Sequence, residues 1–316
     1  MTAAATLLGN VVATAPAMRA LMHDLSRLQG AKSPVLIQGE SGTGKDLIAH
    51  VIHYGSARRD APFIRVHCPS IPEELLESEL FGHEKGAFTD ARHSKLGKLE
   101  LAAGGTVYFD QIHDLQPQLQ AKLLRVVEER CFERLGGTRT LEIDVRILAS
   151  SGADPQAAVK NGSFRADLYH RLSVVPLLLP PLRSRREDVA PLLELFLARE
   201  RQRGATRAER FSADARAALE SYNWPGNVRE LRATVERAAL LVDEIELSLP
   251  ALPPTILANP QTLWEGRPRL PTLKAVEQAY IRHVLEHAHG NQSRAAEALG
   301  ISRKALWEKR RRFGIP

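Results

Sequence analysis

Gly39-Glu40-Ser41-Gly42-Thr43-Gly44-Lys45 is the stretch from which the rest of this chain can be read. An apolar run, Pro34 to Gln38, leads into it and a helical pattern begins at about Lys45, giving the order strand, glycine-rich turn, helix. Glycines let successive backbone amides point at one anion, and the helix start and Lys45 add positive charge. That chemistry suits the phosphates of a nucleotide, cradled by Gly39, Glu40, Ser41, Gly42, Thr43, Gly44, Lys45 and Asp46. Where the general motif has a hydroxyl after the lysine, this chain has Asp46, so a magnesium ion bound with ATP must lean on another group.

Working outward, Phe63 to Cys68, Thr106 to Phe109 and Val145 to Ala149 read as further strands, each followed by polar or helical sequence. The pattern predicts an α/β domain with a parallel sheet and crossover helices. Asp110 ends the strand Thr106 to Phe109, where a carboxylate either holds Mg2+ through water or caps the next turn. Gln111 follows it; an amide orients a water by hydrogen bonds but does not take its proton. Residues 187 to 245 read as helices with no strand candidate, and Pro250, Pro253, Pro254, Pro260, Pro268 and Pro271 break any helical period.

With 316 residues, 44% hydrophobic and 25% charged, the chain is long enough for about two domains with a sizeable core. Cys68 and Cys131 have neither disulfide-framework nor zinc spacing. The longest apolar run, Val174 to Leu182, is short and proline-broken, and the N-terminus lacks signal-peptide regions. A cytoplasmic, nucleoid-associated protein without a membrane partner is expected. Of the formal net charge of +6, residues 291–316 alone carry seven Lys/Arg against two Glu, a footprint suited to a phosphate backbone. There, Asn291 to Trp307 reads as helix, Gly300 turn and a second helix capped by Ser302. Double-stranded DNA is the partner this pattern implies, a generic helical hairpin the alternative. Ser302, Arg303, Lys304, Trp307, Arg310 and Arg311 are the candidate contacts, with Arg303 and Lys304 nearest base edges and Lys309 to Arg312 nearest phosphates. The preceding helix carries Leu273, Val276, Tyr280, Ile281, Val284 and Leu285 on one side, a face suited to dimer or tail packing.

Beyond the phosphate loop, Glu77-Ser-Glu-Leu-Phe-Gly-His-Glu-Lys-Gly-Ala-Phe-Thr89, Phe164-Arg-Ala-Asp-Leu-Tyr-His-Arg-Leu172, Leu179-Pro-Pro-Leu-Arg183 and Trp224-Pro-Gly-Asn-Val-Arg-Glu-Leu231 together resemble the signatures of sigma-54-dependent bacterial enhancer-binding proteins. The resemblance covers nearly the whole chain. It implies an AAA+ P-loop domain over 1–180, a helical lid over 181–246, a proline-rich linker over 247–270 and a Fis-type helix-turn-helix over 271–316. It also implies a homo-oligomer, dimer to hexamer, with ATP between subunits. Arg165 and Arg171 would then reach a neighbour's phosphates, or else form surface ion pairs, while Arg229 would sense nucleotide from the lid, or else pair with Glu230 or Glu236. Phe88, Thr89 and Asp90 would lie in the loop that meets a sigma factor on RNA polymerase. No regulatory module is expected before Pro16.

The chain departs from the family pattern at Asp90, a glycine in most members; at Gly152, usually asparagine; and at Gln111, usually the catalytic glutamate. The favoured expectation is therefore a DNA-binding transcriptional regulator that binds ATP and oligomerises, with hydrolysis and sigma-54 remodelling weak or lost, acting through the primary sigma factor or as a repressor. The alternative is an ATP-hydrolysing sigma-54-dependent activator. Cyclic di-GMP is a further candidate ligand, with Arg58 and Arg59 as contacts or plain surface charge.

Overall fold

The computed structural model describes residues 11–70, 73–152, 154–257, 272–288 and 291–315. The chain divides into two compact units, one running to Phe196 with Trp224–Ala233 added, the other made of Leu197–Asn223 and the chain from Thr234 onward.

In the first unit, α1 (Pro16–Leu28) opens on a proline, which costs no hydrogen bond in a first turn, and buries Met18, Leu21 and Leu25 on one face. Then come β1 (Val35–Gln38), α2 (Lys45–Tyr54), β2 (Phe63–His67), α3 (Glu73–Phe81), α4 (Lys98–Leu101), β3 (Thr106–Asp110), α5 (Pro117–Glu129), β4 (Cys131–Glu133), β5 (Thr140–Glu142), β6 (Arg146–Ser151), α6 (Pro155–Lys160), α7 (Ala166–Leu172) and β7 (Val175–Leu178). The five-stranded sheet runs β2-β3-β6-β1-β7, all parallel. Parallel sheets are covered on both sides, and alternate strand residues serve the two faces. Leu36, Val107, Phe109 and Ala149 pack with Leu80, Leu123 and Phe164. Val35, Ile37, Tyr108 and Leu148 pack with Met18, Ile48 and Ile52.

β7 was hidden in the sequence because its run carries Pro176; a proline fits an edge strand, where it leaves no ladder bond unmade. The β4–β5 hairpin is too short to announce itself by periodicity. Helix α8 (Val189–Gln202) follows. The second unit holds β8 (Arg210–Phe211), α9 (Ala213–Ser221), β9 (Glu246–Leu247) and α11 (Pro254–Leu257), while α10 (Asn227–Leu241) belongs to both units. β8 pairs in parallel with β9, which puts a strand, β8, inside the stretch 187–245 expected to be wholly helical. Residues 247–257, the front of the expected linker, are folded rather than open, because Leu247, Leu252 and Ile256 are buried. The remaining linker positions, 258–270, lie outside the described residues.

At the C-terminus, α12 (Leu273–His287), α13 (Gln292–Ala298) and α14 (Arg303–Phe313) form a three-helix cluster. Ile281, Val284 and Leu285 pack with Ala295, Ala296, Leu306, Phe313 and Ile315. Small Ala295 and Ala296 allow a close crossing, and Gly300 takes φ +66° at the turn. The apolar side of α12 therefore faces its own domain, while Tyr280 is exposed; the side chains of Leu273 and Val276 lie outside the described set. Among the described residues no helix is long and apolar enough to cross a membrane.

Candidate functional site

Register fixes where the candidate site sits. Gln38 pairs with Ser151 on one side of β1 and with Leu178 on the other, and His67 pairs with Asp110, so the loops after β1, β3 and β6 leave the same carboxyl edge of the sheet. Ligands of open parallel sheets bind along such an edge. The turn from Gly39 wraps to Gly44, which takes φ +107° as the residue before α2 and leaves the first-turn amides of that helix open. Lys45 Nζ donates to the carbonyls of Gly39 at 2.7 Å and Glu40 at 2.9 Å, and Thr43 Oγ1 donates to Glu40 O at 2.8 Å. Burial pushes the Lys45 ammonium below its usual range, against the opposing pull of Asp110 and Asp46.

The segment around Asn227 grips this turn. Asn227 is fully buried at φ 54°; its Oδ1 accepts from Leu182 N at 2.8 Å, and its Nδ2 donates to Ser41 O at 3.0 Å and to Glu40 Oε2 at 3.2 Å. Arg229 Nη1 donates to Ser41 Oγ at 3.0 Å and its backbone N to Gly42 O at 3.3 Å. A Cβ on Gly42 would lie 2.3 Å from Gly226 O, so only glycine lets the two backbones touch. Glu40 is held bidentately by Arg183 at 2.5 and 2.8 Å. Those bonds, with Asn227, hold its carboxyl down at about 2.

Asp110 lies at the end of β3 and is nearly buried. Oδ2 accepts from Arg65 at 2.6 Å and faces His67 Nδ1 at 2.9 Å, while Oδ1 accepts from Ser150 at 2.8 Å. Burial alone would raise its carboxyl; the bonds from Arg65, Ser150 and His67 outweigh that and keep it below the usual range. Asp46 Oδ2 meets the same Arg65 nitrogen at 2.8 Å, and Asp46 Oδ1 accepts from Tyr108 at 2.8 Å. One guanidinium nitrogen thus sits between two carboxylates. Hard oxygen donors around a positive charge suit Mg2+, which takes few protein ligands beside water and phosphate. Among the described residues no group of three or more His, Cys, Asp or Glu side chains is placed to hold a metal ion. Arg65, His67, Ser150, Arg183 and Asn227 were not singled out from sequence. The signal for the first two was there: a polar i, i+2 pair on a strand whose partner strand ends in Asp110.

Gln111 adopts φ 59°, ψ 57°, and its backbone N donates to Ser150 Oγ at 3.1 Å. Gly152 shows no left-handed φ, and only the His113 ring, at 3.9 Å, approaches where a Cβ would stand. Arg165 pairs with Asp167 at 2.8 Å and Arg171 with Glu128 at 2.5 Å, both arginines being well exposed. The backbone of Arg165 is set by buried Gln120, whose Oε1 accepts from Arg165 N at 2.8 Å. In the 86–91 loop, Phe88, Thr89 and Asp90 are exposed, with Phe88 edge-on to His83. Asp90 is not among the residues at positive φ, so the glycine it replaces is not needed for backbone freedom here. Arg58 is committed to Gly105 O, Asp144 O and Asp144 Oδ1, and Arg59 to Asp60, which gives the cyclic di-GMP reading no support.

In the other unit, Ser302 caps α14 by accepting from Ala305 N at 3.1 Å. Arg303, Lys304, Trp307 and Arg311 are exposed, Arg310 is half-buried, and the Arg311 guanidinium lies 5.6 Å over the Trp307 ring. Lys309 is turned inward by an ion pair with Glu277.

The Sigma-54 interaction domain matches residues 11–178, the AAA+ ATPase lid domain residues 183–266, and the Fis family of bacterial regulatory proteins residues 272–313. The chain is 44% identical over 318 residues to the regulatory protein AtoC of Escherichia coli, spanning 97% of this chain and 68% of AtoC. It is 43% identical over 300 residues to the transcriptional regulatory protein ZraR of Klebsiella oxytoca, spanning 95% and 68%. A crystal structure of NtrX from Brucella abortus in complex with ATP is similar at a TM-score of 0.73 and 36% identity, over 96% of this chain and 70% of that one. Membership implies a site for ATP and Mg2+, DNA binding by the helix-turn-helix, contact with a sigma factor on RNA polymerase, and an oligomer. With the phosphate loop, the Asp110 edge and the three-helix cluster in place, the chain belongs to the sigma-54-dependent transcriptional regulators: an AAA+ domain with its lid, followed by a DNA-binding Fis-type helix-turn-helix.

Proposed function

We propose that this chain is an ATP-hydrolysing activator of sigma-54-dependent transcription. ATP lies against Gly39 to Lys45, Asp46 and Arg229, and Asp110 holds Mg2+ through water. Arg165 and Arg171 reach a neighbouring subunit's phosphates, and Phe88, Thr89 and Asp90 meet the sigma factor. DNA is held by Ser302, Arg303, Lys304, Trp307, Arg310 and Arg311. The division 1–180, 181–246, 247–270 and 271–316 is kept as the functional one. One observation carries the reading: Asp110 is ionised, oriented by three partners and set at the same sheet edge as the loop. A carboxylate kept ionised at that edge is where such a site holds its metal. The nucleotide-bound state of NtrX and the regulatory names of AtoC and ZraR agree with it. The surface ion pairs of Arg165 and Arg171 cost little to exchange for a phosphate.

The decayed-motor reading rests on Gln111, Gly152 and Asp90, and the Asp90 component weakens because no backbone strain accompanies it. Phosphate release by the purified chain, followed with ATP affinity and open-complex formation by sigma-54 polymerase, separates the two. Turnover of about 1 per second or faster, coupled to open complexes, is expected of an ordinary enzyme of this kind. Tight ATP binding without phosphate release or open complexes would return the chain to a nucleotide-bound DNA-binding scaffold.

A further inference from the structure

A hydrolytic site must take a proton from water, and the side chain after Asp110 cannot: Gln111 offers an amide. Asp110 itself is occupied by Arg65, His67 and Ser150. The group poised at this edge is His113, in the 3₁₀ turn Ile112–Asp114 that follows β3. Its Nδ1 lies 3.2 Å from Ser151 Oγ, the last residue of β6, and its Nε2 lies 3.6 Å from Asp114 Oδ1. The Cε1–Nε2 edge lies 3.9 Å from where a Cβ on Gly152 would stand, ordinary contact distance. Ser151 is in register with Gln38, so Gly152 follows at the level of Gly39, one strand spacing from the start of the phosphate loop. The imidazole therefore stands at the carboxyl edge of the sheet, at the end of the strand next to the one that leads into the phosphate loop.

Resting on the ATPase reading above, we propose that His113 is a catalytic residue of this chain, the proton acceptor for the attacking water. With Nδ1 protonated toward Ser151, Nε2 carries the lone pair that accepts, with Asp114 at its side. A water hydrogen-bonded to Nε2 gives up its proton there as its oxygen bonds to the terminal phosphorus. The bond from that phosphorus to the bridging oxygen breaks, and its electrons leave with ADP. Asp114 steadies the imidazolium, which then loses its proton to solvent. Gln111 serves by its backbone, holding Ser150 against Asp110. Of the other titratable groups near the turn, Asp110 is committed to its partners, His67 faces Asp110 through Nδ1, Asp114 lies against the His113 ring itself, and burial pushes the Cys68 thiol up to about 12.

The test uses the full chain with ATP and Mg2+. His113→Gln should lower phosphate release about 100-fold, the lower end of what a general base contributes, with ATP affinity unchanged. Adding Gln111→Glu to His113→Gln should restore turnover, which also shows that the variant folds. Wild-type turnover that survives His113→Gln overturns the role of His113 and leaves the ATPase reading intact. No release from the wild type or from Gln111→Glu overturns both.

Discussion

Replacing Asn227 with alanine tests whether one buried amide locks the phosphate loop. The change leaves the Leu182 N–H without its acceptor in a buried place, at about 1–3 kcal/mol, and removes a donor to the Glu40 carboxylate worth about 1.5 kcal/mol. It also puts alanine at φ 54°, which costs about 1–2 kcal/mol for a residue with a Cβ and no local hydrogen bond to offset it. Together these predict a loss of roughly 4 kcal/mol. Asn227→Gly loses the same bonds but not the backbone cost, so it should unfold about 1 kcal/mol later than the alanine variant. Urea unfolding, read from fluorescence of Trp224, which is wholly buried in the same turn, measures both. ATP affinity should fall in parallel, since the freed loop must be ordered by the ligand. An alanine variant within about 1 kcal/mol of wild type, or a glycine variant less stable than the alanine one, would refute the reasoning.

Glu40, held at about 2 in the fold against 4.5 when free, adds stability that is fully present above pH 4.5 and is lost as pH falls through 2. Arg183→Ala should accordingly lower stability by a constant amount above pH 4.5, the difference from the wild type shrinking as pH falls through 2. Arg171→Ala should keep ATP affinity while cutting hydrolysis by about 1,000-fold, as loss of an arginine finger does. Mixing it with Lys45→Ala subunits should restore part of the activity if the arginine acts across a subunit boundary; no restoration rules that out. On DNA, Arg303→Ala should relax sequence preference, whereas Arg311→Ala should weaken all sites alike and flatten the salt dependence. Lys309→Ala should change the salt slope less than Arg311→Ala, because its charge is already paired with Glu277; binding titrations over a salt series read all three.

The loop, the strand before it, Asp110 and the helix-turn-helix were legible because each is a local pattern: glycines at fixed offsets, an apolar run ending in a carboxylate, and alanines beside a Gly turn. What escaped were partners brought in by topology. Asn227 and Arg183 stand far along the chain from Glu40 and share no local period with it. Arg65 and His67 were visible as polar residues in a strand, but only the register His67 with Asp110 makes them its partners. β7 was missed because Pro176 reads as a strand breaker until the strand is seen at an edge. The split of the chain through the expected lid has the same origin, since Trp224–Ala233 is claimed by contacts with the loop that no composition shift reports.

The weight given to Gln111, Asp90 and Gly152 as signs of decay depended on counting them as three separate losses. Asp90 takes no glycine-only conformation, so it alters charge at the exposed loop and not its shape. Gly152 and Gln111 lie at one place: the His113 ring stands 3.9 Å from where a Cβ on 152 would be, and the backbone of 111 retains its bond to Ser150, which in turn orients Asp110. On the proposal made above, the two changes amount to one exchange of proton acceptor, which residue-by-residue comparison with a motif misses because the acceptor moves to another position.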